Sequence, residues 1–297
     1  MKKNISYLLR KFGVELSRPL IREKNIKDQI SSRFKMKFDF SSDLLFNSFN
    51  YIKRLDNHSI SFTIVSENEN FLIVKVNEFK FKIESVEDIF IISEVLIDKD
   101  YNFLNNEEYI FMDIGFNIGI TSLFLSTKRN ISKIYGYEPV PHTFEIASEN
   151  ILMNNISKIE LKNTGLGGFT RDEVFIFNKN LKGNAGIRGN LSYSINKLEE
   201  TDKREIKVKI IDVTEELDTI IKSHPNKKIG MKIDCEGGEY ELLEKLDKEN
   251  KFKHIDILMI EWHDKGSEII ENILLKNKYK IFSRVLEINS GMVYATK

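Results

Sequence analysis

One cysteine, Cys235, occurs in 297 residues, so neither an internal disulfide nor a multi-cysteine metal site can form. That usage fits a reducing compartment. No run approaches the roughly 20 apolar residues of a membrane span, and no apolar stretch followed by a small-residue cleavage site marks the chain for secretion. A soluble, cytoplasmic protein is the expectation. Net charge is also lacking, because 45 basic residues balance 45 acidic ones. Attachment to nucleic acid over a whole surface needs a strong basic excess, and a solvating disordered tail an acidic one, so neither describes the full chain. With 41% hydrophobic residues the chain can bury a large core, and its length suits one large domain or two modest ones.

The balance hides an asymmetry. The first 35 residues hold ten basic side chains against three acidic ones, a surplus of +7, which leaves −7 on residues 36–297. Within that leader Ile5, Leu8, Leu9 and Phe12 share one face at helical spacing, Lys2, Lys3, Arg10 and Lys11 lie elsewhere, and Pro19 is positioned to close the segment. A basic amphipathic helix over residues 1–18 has two uses: packing on its own domain, or peripheral contact with an anionic membrane surface or partner.

Residues 60–83 read as short strands, with Phe79, Phe81 and Ile83 alternating with Lys80 and Lys82, and they suggest a small antiparallel layer. From Ser85 the period becomes helical: Ser85 and Asp88 are spaced as a capping box, and Ile89, Ile92 and Leu96 fall on one face. The division expected is a small N-terminal α+β region over 1–84 and an α/β domain over 85–297. Beyond residue 107, strand candidates at 109–112, 133–137, 159–162, 230–233 and 255–260 alternate with helical segments, which calls for a mostly parallel sheet covered on both faces. Two final runs, 279–286 and 292–295, joined through Asn289, Ser290 and Gly291, make an antiparallel pair at one edge. Strands at 174–177 and 206–211 belong to an insertion, and the long polar run between them, 178–205, is a candidate substrate lid.

The most informative segment is Asp113-Ile114-Gly115-Phe116-Asn117-Ile118-Gly119, where an apolar strand enters a glycine turn and then a helix. Glycines there let a ligand approach the backbone at the carboxyl end of a strand. A carboxylate at Asp113 would repel the pyrophosphate of a dinucleotide, whereas the ammonium of S-adenosylmethionine would be attracted. The next strand ends in Tyr137-Glu138-Pro139, an acid placed to accept from both hydroxyls of a ribose.

A second strand, turn and helix, Lys232-Ile233-Asp234-Cys235-Glu236-Gly237-Gly238-Glu239-Tyr240, breaks the apolar rule for a central strand. Lys232 and Asp234 share one face, and Glu261 and His263 repeat the pattern after Leu258-Met259-Ile260. If those strands are neighbours, four polar groups converge, either as a salt-bridge network or as direct participants. Glu239 reads as a favourable charge in the first turn of a helix.

Together with Asn163-Thr164-Gly165-Leu166-Gly167 and Glu261-Trp262-His263, these segments resemble the FkbM family of S-adenosylmethionine-dependent methyltransferases, over roughly residues 85 to 297. One departure is Gly238, where the family commonly has alanine. The resemblance implies a class I methyltransferase, Rossmann-like fold and O-methylation, often of sugar hydroxyls in surface glycans (polysaccharide biosynthesis) and sometimes of polyketide-type products. On that reading Asp113 binds the amino-acid end of S-adenosylmethionine, Glu138 the ribose, Gly115, Asn117 and Gly119 shape the turn, and Gly165 and Leu166 border the adenine. Asp234 and His263 lead as proton acceptors, Glu236 orients an acceptor hydroxyl, and Lys232 takes either a direct or a salt-bridge role. Asp234, Glu236 and Glu261 are the oxygen donors for a divalent metal if one is used, although no distinctive ligand spacing marks such a site. Three other readings compete. A nucleic-acid base methyltransferase would carry an Asn/Asp-Pro-Pro-aromatic turn where Asp234 to Gly237 stands; a nicotinamide dehydrogenase is disfavoured by Asp113; a non-catalytic cofactor-binding module in a glycan-assembly complex is disfavoured by Asp113, Glu138 and Asp234 together.

Overall fold

A computed structural model of the chain describes residues 19–102, 106–186 and 203–297. The basic amphipathic helix expected over residues 1–18 falls outside them, as does most of the lid candidate. No helix among the described residues is long and apolar enough to cross a membrane.

Three helices come first, α1 (Pro19–Arg33), α2 (Asp39–Asn47) and α3 (Phe49–Asn57). The sequence pattern did not separate α2 and α3, since nine residues give each barely two turns of period. An antiparallel sheet follows from β1 (Phe62–Glu67), β2 (Leu72–Val76) and β3 (Phe79–Ile83), with Phe79, Phe81 and Ile83 buried and Lys80 outward. The expected capping box opens α4 (Val86–Ser93): Ser85 Oγ accepts from the Asp88 amide while Asp88 Oδ2 accepts from the Ser85 amide. One π-helical turn, Glu94–Asp98, extends α4 and ends at Lys99, left-handed with φ 57°.

Strands and helices then alternate through β4 (Tyr109–Ile114), α5 (Ile120–Ser126), β5 (Ile131–Tyr137), α6 (Pro141–Met153), β6 (Ile159–Lys162), β7 (Gly165–Gly167), β8 (Arg171–Phe177), β9 (Arg204–Asp212), α7 (Val213–Ser223), β10 (Lys228–Ile233), α8 (Glu239–Lys248), β11 (Ile255–His263), α9 (Glu268–Lys276), β12 (Lys280–Glu287) and β13 (Ser290–Thr296). The main sheet has the order β12-β13-β11-β10-β4-β5-β6. β13 runs against both β11 and β12, giving the expected antiparallel pair at one edge, and the other pairings are parallel. The insertion strands β8 and β9 pair antiparallel, and β7 joins them to complete a small third sheet.

Burial on both faces explains the near-continuous apolar strands. In β4, Phe111 faces a core shared with α5, α6 and the N-terminal layer, while Ile110, Met112 and Ile114 face a core built on α7, α8 and α9. Because the chain moves from β4 out to β6 and returns at β10, strand order reverses between β4 and β10. A ligand crevice is expected at the carboxyl ends of that pair.

The N-terminal sheet is fastened to this body through the free edge of β3. The Lys82 amide donates to Asn150 Oδ1 at 2.7 Å, the Lys80 amide to Asn154 Oδ1 at 2.8 Å, and Asn150 Nδ2 also donates to the Ile118 carbonyl at 2.9 Å. Asn150 is fully buried. Replacing it strands two backbone groups, so Asn150→Ala is expected to lower unfolding free energy by about 2–4 kcal/mol. Urea denaturation checks this, and an unchanged midpoint with an unchanged slope refutes it.

Candidate active site

Two turns meet at the reversal point. The turn after β4 carries three left-handed residues, Gly115 at φ 79°, Asn117 at 52° and Gly119 at 88°. Gly115 has a second requirement, because a Cβ there would lie 1.6 Å from the Asp234 carbonyl oxygen. The turn after β10 is correspondingly close, and the Asp234 amide donates to the Ile114 carbonyl at 3.0 Å. In β5, Gly136 leaves room for the Phe116 ring, whose nearest atom would stand 2.3 Å from an added Cβ.

Glu138, at the end of β5, turns back onto the glycine turn. Its Oε2 accepts from the Asn117 amide at 2.8 Å and its Oε1 from the Val140 amide at 2.9 Å. Burial pushes its pKa up to about 7, with the two amides pulling the other way. It lines the crevice together with Gly115, Asn117, Gly165 and Leu166. Gly119 caps α5 and is not on that wall.

Asp113 is placed differently from the expectation. It is fully buried beneath the turn, does not line the crevice, and accepts from Ser122 Oγ at 2.6 Å. The reason lies in the sheet register, which sets Lys232 of β10 directly beside Asp113 of β4. The Lys232 ammonium lies 3.2 Å from Asp113 Oδ1 and 3.3 Å from Asp234 Oδ2, and donates to the Gly115 carbonyl. Burial pulls the Lys232 pKa down, but Asp113 and Asp234 outweigh it and hold the amine above the usual lysine range. Lys232 therefore stays charged.

The four polar groups of β10 and β11 do converge, as parallel neighbours. Tyr101, which sequence reasoning did not single out, joins them: its hydroxyl donates to Glu261 Oε2 at 2.9 Å and stands 3.2 Å from Asp234 Oδ2. Burial, then the charges of Asp234 and Glu261, raise the phenol far above its usual pKa, so it remains a donor. Glu239 does more than supply a helix-end charge. Its carboxylate is fully buried and accepts from the amides of Gly237 and His263, both at 2.8 Å, and Oε1 lies 3.3 Å from His263 Nδ1. His263 Nε2 is thereby turned toward Glu236 Oε1 at 3.7 Å and Glu261 Oε1 at 3.8 Å. Burial lowers the His263 pKa, but the bond to Glu239 and the charges of Glu236, Glu239 and Asp234 push it up to about 10. The Cys235 thiol is raised well above its ordinary range, chiefly by burial, and is no nucleophile at neutral pH.

The described start of the lid candidate, 178–186, is anchored on the N-terminus of α4. The buried Lys182 ammonium donates to Asp88 Oδ2 at 2.9 Å and Ser85 Oγ at 3.1 Å, and the Gly183 amide to Glu87 Oε2 at 3.0 Å. Lys182, Gly183 and Ala185 then form part of the crevice wall.

A sequence model described as the methyltransferase FkbM domain matches residues 113–281. The chain belongs to the FkbM methyltransferase family. Its curated relatives include a protein named methyltransferase 1 from Beauveria bassiana, 28% identical over 64% of this chain and 79% of that protein. Another is methyltransferase sdnD from Sordaria araneosa, 25% identical over 67% of this chain and 84% of that one. Among solved structures, M. jannaschii TYW2 in complex with AdoMet is similar at a TM-score of 0.38 and 16% identity, covering 78% of this chain and 87% of that chain. The family match and the strand order of the main sheet give this FkbM methyltransferase the expected class I, Rossmann-like fold, a fold for which S-adenosylmethionine is the cofactor to test.

The wall fits that cofactor. Eight carboxylates and three basic side chains line the crevice, a field that favours a sulfonium and an ammonium and opposes a pyrophosphate. Backbone strain gives a test of the turn geometry. Gly115→Ala is expected to weaken S-adenosylmethionine binding by roughly ten-fold or more, since the left-handed strain and the clash with Asp234 together exceed about 1.4 kcal/mol. Calorimetric titration reads this, and wild-type affinity in the variant would show that the turn does not form the cofactor seat.

Proposed function

We propose that this FkbM methyltransferase transfers the methyl group of S-adenosylmethionine to a hydroxyl oxygen, most simply of a carbohydrate in a surface glycan or its precursor. The observation that carries the reading is the convergence of Asp234, Glu236 and Glu261 with Tyr101 on one side of the crevice, beside the glycine turn. Carboxylates accept hydrogen bonds from hydroxyls, so this cluster suits a polyhydroxylated acceptor. A polyketide-type acceptor is the second reading, favoured by the apolar flank of Phe90, Ile91, Val95 and Leu286 on the same wall.

When bound, S-adenosylmethionine supplies an electrophilic methyl whose leaving group is a neutral thioether, so the protein's share is positioning and proton removal. Glu138 accepts from the ribose hydroxyls. Gly115, Asn117 and Gly119 set the backbone of the turn, and Gly165 and Leu166 border the adenine. Asp113 acts through Lys232, holding the ammonium that ties the Gly115 carbonyl to Asp234. Asp234 lines the crevice, oriented by Lys232 and Tyr101, and takes the acceptor proton as the oxygen attacks the methyl. Glu236 orients the acceptor. His263 does not line the crevice and serves through the carboxylates it faces.

Two measurements test the assignment. Glu138→Ala is expected to weaken S-adenosylmethionine binding by roughly 10–100-fold, the worth of one or two hydrogen bonds to a charged group, whereas Asp234→Asn should bind the cofactor normally and lose roughly 100-fold or more in kcat. Tight cofactor binding by Glu138→Ala, or full turnover by Asp234→Asn, removes that residue from its role. The raised pKa of Glu138 also fixes a direction with pH. Below about 7 its carboxyl gains a proton and loses acceptor capacity, so cofactor affinity should fall as pH drops through that value, and a Glu138→Gln variant should show a flatter profile by calorimetry.

A further inference from the structure

We infer that the ends of β10 and β11 hold a divalent transition-metal ion, Mn²⁺ in character, bound by Asp234, Glu236 and His263. One donor atom from each of these three residues lies within 4.8 Å of the others. Ligands about 2.1–2.3 Å from a shared ion stand roughly 3–4.5 Å apart, so the spacing matches a set that needs only small adjustment.

The imidazole points to an ion more sharply than the acids do. His263 is 5% exposed, and its Nε2 stands 3.7 Å from Glu236 and 3.8 Å from Glu261, beyond hydrogen-bonding reach of either carboxylate. Its other nitrogen is fixed by the buried Glu239, whose Oε1 also holds the His263 amide. A carboxylate behind one ring nitrogen, fixing tautomer and ring plane while the other faces acidic oxygens, is the arrangement around a metal-ligating histidine. Lys232 meets this group through Asp234, and it is shared with Asp113 and the Gly115 carbonyl.

Donor chemistry selects the class of ion. Ca²⁺ and Mg²⁺ favour all-oxygen sets, whereas one imidazole with two carboxylates suits Mn²⁺ and its transition-metal neighbours. Binding displaces any proton on His263 Nε2. Three protein ligands leave open positions on the ion, facing the crevice that Asp234 and Glu236 line. Two neighbouring oxygens of an acceptor, such as a vicinal diol, would fill them, and the ion would then orient and acidify the hydroxyl to be methylated. That consequence rests on the hydroxyl-acceptor reading, but the binding of the ion does not.

The test uses the full chain, stripped of metal by chelator and titrated with MnCl₂, read by electron paramagnetic resonance and calorimetry. S-adenosylmethionine binding is measured on the same samples. One Mn²⁺ per chain is expected, with affinity reduced at least ten-fold in Glu236→Gln and in His263→Gln, and roughly 10–100-fold in Glu239→Gln through the loosened imidazole. Retained S-adenosylmethionine binding certifies that each variant is folded. If His263→Gln loses cofactor binding as well, His263→Asn takes its place. A wild-type sample that binds S-adenosylmethionine but gives only the free Mn²⁺ signal overturns the inference and leaves the methyltransferase reading standing. Undiminished Mn²⁺ affinity in both Glu236→Gln and His263→Gln overturns it equally.

Discussion

The crevice depends on one buried cation. Lys232 is 2% exposed in a central strand, where an ammonium without partners would cost several kcal/mol in lost hydration. It persists because Asp113 sits beside it across the sheet, Asp234 follows it on the same face, and the Gly115 carbonyl receives it from above. Asp113 is in turn anchored by Ser122 in α5. These contacts lock the turn after β4 to the turn after β10, and those are the two strand ends that define the ligand site. Tyr101 carries the constraint one strand further by spanning Asp234 and Glu261. Breaking such a cluster from the inside is costly because the remaining charges stay buried, typically about 3–5 kcal/mol for a removed partner.

The same cluster shows what the sequence could reveal. Polar residues interrupting an otherwise apolar buried strand, Lys232 with Asp234 and Glu261 with His263, mark a site before any fold is known, because burial without purpose is unfavourable. The parallel sheet was legible for the same reason, since both faces of β4 and β11 must be apolar to be covered. The partner of a buried acid was not legible. A carboxylate at a strand end reads as open to a ligand until the β4 to β10 register assigns it a lysine. Tyr101 lies 133 and 160 residues from the acids it contacts, so no local period announces it. Glu239 occupies a helix start, where a charge is favourable by itself. Its second task follows only from the placement of α8 beside the end of β11.

The segment ahead of β4 takes part in the site as well as in the core. One continuous apolar cluster runs from α1 and the N-terminal sheet through α4 to Phe111, Phe116 and α6. That packing carries α4 and the π-helical turn to the mouth of the crevice, where Glu87, Phe90, Glu94 and Tyr101 form wall. The turns after β4 and β5 are shaped by glycine and backbone demands, which leaves them little freedom to vary. The wall supplied by α4 and by 178–186 is built from side chains and one buried ion pair, Lys182 with Asp88. The crevice wall therefore draws on parts of the chain outside the repeating strand and helix pattern as well as on the strand ends.

A formal charge of zero conceals how these charges are distributed. The crevice gathers eight carboxylates against three basic groups, and all three are already engaged, Lys232 with Asp113 and Asp234, Lys182 with Asp88, and Arg171 with Glu173 and Glu241. Mutual repulsion is visible at Glu94, where burial and then Asp98 and Asp234 push the pKa up to about 7. A positively charged ligand relieves that repulsion directly, whereas a neutral product of methyl transfer relieves it less. On the proposed reaction the cofactor would lose its sulfonium charge on donating the methyl group, so a field that draws the reactant in would hold the product less tightly. Electrostatic complementarity here is matched to the charged side of the reaction, and it is built from the wall rather than from the net charge of the chain.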